Sequence, residues 1–152
     1  MLLPIHDQNP LRIIPFQIVT IGIIAICVAM FLWQISLSEG EKAQFILSFG
    51  VIPSVLLENS TLPPELMRIP SEYTILTSIF LHAGWMHLLG NMLFLWGYGD
   101  NIEDEMGHTR FLAFYLLCGV AATVTYTVVN PGSENPLVGA SGAIAGVMGA
   151  YL

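Results

Sequence analysis

The chain has 152 residues, of which 55% are hydrophobic and only 10% charged; that composition excludes an ordinary soluble domain and points to a membrane protein. The formal charge of −7 comes from acids gathered in a few short polar stretches, so it gives no reason to expect a nucleic-acid partner. Cys27 and Cys118 both fall inside apolar runs, which leaves them as small packing residues and excludes a disulfide framework or a metal-binding Cys spacing.

From 16 to 37 the chain reads FQIVTIGIIAICVAMFLWQISL, uncharged and about as long as the roughly 20 helical residues a bilayer core requires. This predicts the first span. Ser36-Leu37-Ser38 has the small-x-small form of a signal-peptidase site, but the apolar run exceeds the roughly 7 to 15 residues of a signal core and only Arg12 precedes it, so a retained anchor is expected. Residues 38–72 are polar, with short apolar pieces, and Pro53, Pro63, Pro64 and Pro70 punctuate them. A long loop is expected there, with FILSFGVIPSVLL lying on the membrane interface or the helix bundle; the sequon Asn59-Ser60-Thr61 reads as chance.

A second apolar stretch, Tyr73 to Tyr98, carries His82, His87 and Asn91. It predicts a span over 85–99, led in by TILTSIFLHAG and stopped by Asp100, Glu103, Asp104 and Glu105. The third span is expected at 111–130. After the loop NPGSENP, bracketed by Pro131 and Pro136, a fourth runs over 137–152, short of a full crossing. The expected fold is an all-α, polytopic helical membrane bundle forming one domain over 1–152, truncated after about four transmembrane helices.

Basic residues leave the orientation open, because Arg12 and Arg110 fall on one side and Lys42 and Arg68 on the other. Parity does more. Spans two and four must start on the same side, so His87 and Asn91 share a depth with Ser141, each one or two turns in at about 1.5 Å per residue.

His87 and Asn91 are four apart and stack on one helical face. His82, five before His87, does not share that face well, and the Glu of a zinc-peptidase H-E-x-x-H helix is missing, so no metal is expected. Polar groups at membrane depth face a bundle interior or a watery cavity; bonding across to a neighbouring helix as packing glue is the alternative. Gly139, Gly142, Gly146 and Gly149, spaced three, four and three, give a helical face bare of side chains that another backbone can approach. Ser141 sits beside that seam at the helix start, where backbone N–H groups lack intrahelical partners and point toward developing negative charge. Acyl transfer needs such donors for its tetrahedral oxyanion, and His87 and Asn91 are placed to add side-chain donors from equal depth.

These residues resemble the rhomboid-family intramembrane serine proteases: the quartet Gly139-Ala140-Ser141-Gly142 opening the fourth helix, His82 followed by His87-x-x-x-Asn91 opening the second, and Glu103 with Gly107 in NIEDEMGH after it. The resemblance runs over essentially the whole chain. It implies Ser141 as nucleophile, an oxyanion hole from His87, Asn91 and the Ser141 backbone N–H, a supporting His82 near the cavity mouth, and a Gly146 that lets the serine helix pack against a later helix. The implied partners are the lipid bilayer and a transmembrane protein substrate, cut near the outer face of the membrane; no metal or cofactor is implied, and the oligomeric state is left open. The implied setting is a multi-pass protein of a bacterial cytoplasmic membrane.

Departures from the family pattern are equally specific. A serine hydroxyl needs an adjacent base, which in the family is a histidine on the sixth helix, and neither His6 nor His108 carries over to that role. The position four after the serine, often aromatic in relatives, is Ala145, and the first-loop Trp-Arg pair is absent. These residues alone are therefore expected not to turn over. Three readings stay open: an endopeptidase, a non-catalytic rhomboid-like protein that holds transmembrane clients, and a structural subunit in which His87, Asn91 and Ser141 are interhelical glue.

Overall fold

The computed structural model describes residues 11–152; His6 lies outside the described residues. Seven α-helices come in order: α1 (Ile18–Ser36), α2 (Glu39–Phe49), α3 (Pro53–Leu56), α4 (Ser71–Thr77), α5 (Trp85–Met106), α6 (His108–Val129) and α7 (Ser141–Tyr151). Two 3₁₀ turns, Pro64–Leu66 and Ser78–Phe80, interrupt the chain between α3 and α5. The fold is an all-α membrane bundle.

Two helices, α1 and α6, are each long and apolar enough to cross a membrane. At about 1.5 Å per residue they extend about 28 and 33 Å, close to the thickness of a hydrocarbon core. Their outward faces carry Ile26, Leu32, Leu117 and Val128, all exposed, as a lipid-facing surface requires. The stretch Pro64–Phe80 and α5 pass the same test together, bent by 75° where they meet. That bend falls on His82 and Gly84.

The stretch expected as loop, 38–72, holds an 11-residue helix, α2. Ser38 starts it with a capping box: its hydroxyl accepts from the Glu41 N–H, and the Glu41 carboxylate accepts from the Ser38 N–H at 3.0 Å. The Ser38 hydroxyl donating to Glu41, with the backbone bond behind it, holds that carboxyl below its usual range. The prolines begin only at Pro53, so they interrupt the chain beyond α2 and leave α2 itself intact. Val51 then forms an antiparallel bridge with Leu137, N to O at 3.0 Å one way and 2.7 Å the other, tying this region to the approach to α7.

The acids expected to end the second span at 99 do not end it, and α5 runs on to Met106. Glu103 and Asp104 are buried because they accept the free backbone N–H groups around the start of α1. Asp104 takes Arg12, Ile13 and Ile14, each at 2.8 Å, and Glu103 takes Val19 at 2.9 Å and Thr20 at 2.8 Å. A helix start leaves such donors unpaired and favours negative charge beside them. One residue, Gly107 at φ +76°, then reverses the chain into α6, whose first residue is His108 and not residue 111. The last helix begins at Ser141 and not at 137, since 137–139 are committed to the bridge with Val51 and to a bond from the Gly139 N–H to the Ser78 carbonyl.

Helix α7 packs mainly against α6 and also against α5, while α1 packs along α5. The buried core runs between them through Ile23, Cys27 and Phe31 of α1, Leu88 and Leu95 of α5, Tyr115 of α6 and Val147 of α7.

Candidate active site

Helix α5 starts after Gly84, which is extended at φ −175°, so His87 falls in the first turn and Asn91 one turn later on the same face. His87 is half-buried and Asn91 buried. The Asn91 Nδ2 has no hydrogen-bond partner among the described residues. A carboxamide donor left buried and unpaired costs about 1–3 kcal/mol.

Across from this face runs the approach to α7. Gly139 has φ +128°, a backbone shape that residues with a side chain rarely adopt. A Cβ added there would lie 2.5 Å from His87 Cε1, 2.7 Å from His87 Nε2 and 3.7 Å from Asn91 Nδ2. The peptide backbone of Gly139 therefore rests on the imidazole with Asn91 beside it. Ala140 is fully buried beneath. Ser141, the first residue of α7, is exposed and borders an open groove of about 180 Å³ shared with Thr123 and Tyr126 of α6, Leu137 and Gly139.

His82 is fully buried, and neither ring nitrogen makes a hydrogen bond of good geometry among the described residues. Its ring meets that of His87 edge-on, with centroids 5.3 Å apart and planes at 66°. Thus His82, His87, Asn91, Gly139 and the start of α7 gather at one place. The other glycines of the group go elsewhere. A Cβ on Gly142 would collide with Ala122, and one on Gly146 with Cys118, both on α6. The resemblance gave Gly146 a later helix as partner; among the described residues its bare face lies against Cys118 of α6. Gly149 faces open space, so the four glycines do not form one continuous seam.

His108 sits at the opposite end of α5, its Nδ1 2.6 Å from Glu103 Oε1, and takes no part in this cluster. Two residues that hold the cluster escaped the reading of the sequence. The Ser78 carbonyl accepts the Gly139 N–H at 2.9 Å, and Gln34 of α1, fully buried, bonds the His82 backbone. For Gln34 the signal was available: a carboxamide inside an uncharged run of membrane length rarely lacks a partner.

At the N-terminus of α7 the first N–H groups have no intrahelical acceptor. The His87 ring and Asn91 Nδ2 lie against Gly139, two residues before Ser141, while Ser141 itself borders the groove shared with α6. The structure is thus that of a helical membrane domain with an exposed serine opening a close-packed helix. A family profile for the Rhomboid domain matches residues 70–152, and the chain belongs to the rhomboid family. It is 42% identical over 80 residues to the rhomboid protease GluP of Bacillus subtilis, covering 53% of this chain and 15% of that protein. It is 32% identical over 102 residues to RHOMBOID-like protein 5 of Arabidopsis thaliana, covering 66% and 33%, and 40% identical over 131 residues to the mitochondrial presenilin-associated rhomboid-like protein of Bos taurus, covering 78% and 34%. The chain spans about a third or less of the length of these three relatives.

Proposed function

We propose that these residues supply the nucleophile and the oxyanion donors of a serine endopeptidase that cleaves transmembrane segments of other proteins within a bacterial cytoplasmic membrane. The observation that supports this reading is the contact of Gly139, two residues before Ser141, with His87 and Asn91. Ser141 Oγ attacks the scissile carbonyl; the oxyanion that forms is held by the His87 ring, Asn91 Nδ2 and the Ser141 N–H. The amine leaves with a proton, and water then hydrolyses the acyl-serine. Membership in a family whose relatives include a named protease supports the assignment.

The general base that Ser141 requires is assigned to an imidazole outside residues 1–152. Among the described residues His108 is engaged with Glu103, and His82 and His87 stand together on the donor side. The same observation favours a second reading, a rhomboid-like protein that holds transmembrane clients without cutting them. A fluorophosphonate probe and a tagged single-span reporter, both applied to membranes carrying the full polypeptide, separate the two. The protease labels at Ser141 and cuts the reporter, and Ser141→Ala abolishes both while shifting stability by no more than about 0.5 kcal/mol, as for other exposed substitutions. Cleavage that survives Ser141→Ala refutes the assignment of the nucleophile; reporter capture without labelling establishes the client-holding reading. Residues 1–152 alone are expected to remain unlabelled.

A further inference from the structure

The first span reaches the candidate site through one side chain. Gln34 lies in the last turn of α1 and is fully buried. Its Nε2 donates to the His82 carbonyl at 3.2 Å, and its Oε1 accepts from the His82 N–H at a longer 3.5 Å. The carboxamide thus pairs with both backbone groups of a single residue. Exchanging the amide oxygen and nitrogen would set donor against donor and acceptor against acceptor, so the orientation of Gln34 is fixed by its partner. His82 sits in the bend between the Ser78–Phe80 turn and α5, a place with no helical or sheet ladder to hold its backbone, and the side chain of Gln34 takes the role that a neighbouring strand would have.

The held residue then acts on the site in two directions. Its ring packs edge-on against His87, limiting how far the His87 imidazole can turn about its own axis. Four residues earlier, Ser78 accepts the Gly139 N–H, so the same short segment also holds the loop that brings Ser141 to α5. We infer that Gln34 is a positioning residue, which by fixing the His82 peptide sets the orientation of the His87 imidazole at the serine site. The inference rests on the endopeptidase reading for its kinetic consequence and on geometry alone for its effect on His87.

The closing experiment reads both. In the full polypeptide, Gln34→Leu keeps the volume and removes both bonds, and His82→Ala removes the ring contact with His87 while leaving the backbone clamp in place. With a purified single-span reporter, Gln34→Leu is expected to lower kcat roughly 10- to 100-fold, the range that a misplacement of about 1 Å produces, with KM within about twofold. Nuclear magnetic resonance of protein labelled with ¹⁵N in histidine gives the second readout, in which the ring signals of His87 shift in Gln34→Leu while those of His108 stay in place. A folded Gln34→Leu protein with unchanged kcat and unchanged His87 signals overturns the inference. Should Gln34→Leu not fold, His82→Ala, which removes the ring through which the clamp acts on His87, decides in its place: unchanged kcat and unchanged His87 signals overturn the inference equally. If the wild-type protein neither cuts the reporter nor labels at Ser141, the endopeptidase reading fails, and the His87 signals still test the coupling to Gln34.

Discussion

Replacing Gly139 by alanine tests the contact on which the site is built. The new methyl group would start 2.5 Å from His87 Cε1, whereas ordinary contact begins near 3.4 Å; the half-buried ring must therefore retreat by about 1 Å. Forcing an alanine into a φ of +128° adds strain of about 1–3 kcal/mol, and a clash left unrelieved adds about 1–3 kcal/mol more. If the ring yields, stability falls by the strain alone, and the lost alignment appears in the rate. One misplaced donor then lowers kcat by roughly 10²- to 10³-fold. Reporter cleavage and thermal unfolding of the purified protein measure the two effects. The double variant with His87→Ala isolates the contact, since Gly139→Ala should cost only its backbone strain once the imidazole is gone. Wild-type turnover in Gly139→Ala, or a fall in kcat that Gly139→Ala repeats in full in the His87→Ala background, refutes the reasoning.

Two further outcomes test the frame around the site. Gly146→Val drives a side chain into Cys118 of α6 and should destabilise the protein by about 1–3 kcal/mol, whereas Gly149→Ala, which meets open space, should leave thermal unfolding unchanged; equal effects at the two positions would contradict the close approach of α7 to α6. Glu103→Gln replaces one accepting oxygen with a donor that faces the Val19 and Thr20 amides, and leaving one buried N–H unpaired should cost about 1–3 kcal/mol, seen as a lower midpoint of thermal unfolding in micelles; an unchanged midpoint contradicts the role given to Glu103.

How much of the fold and the site could be read from the chain depends on which forces are local. A lipid core forces long uncharged helices, so the runs that became α1 and α6 stand out by hydropathy alone. The meeting of the α7 start with the first turn of α5 comes from counting crossings, without knowledge of any contact. One feature was written locally and passed over: the S-x-x-E pattern of Ser38 and Glu41 signals a helix start, while the prolines further on suggested a loop for the whole of 38–72. Other features had no local sign. Glu103 and Asp104 look like helix-ending charges until the donors they serve, some 83 to 92 residues earlier, are placed beside them. The partner of Gly146 could not be chosen from spacing, because a bare helical face says that something approaches and not which helix does.

These long-range bonds share a geometry that explains how the site keeps its shape in lipid. Helices α1 and α5 run antiparallel, and α1 is fastened to α5 at both ends: Glu103 holds the amides of its first turn, and Gln34 in its last turn holds His82 just ahead of α5. Between the fasteners, alongside the aliphatic core, the helices approach closely at two places. The Thr20 side chain would lie only 3.0 Å from a Cβ on Gly99, and Phe31 meets Trp85 edge-on at 4.9 Å. Lipid tails are as apolar as the core, so burial alone gives little preference for one sliding register over another. Directional bonds at the two ends do, because a slip of even one residue would strand buried donors and a carboxylate without partners. The register so fixed sets the height of His82 relative to α5, and through the edge-on ring contact that height reaches His87. On this account the helix that carries none of the reactive groups determines where one of them points.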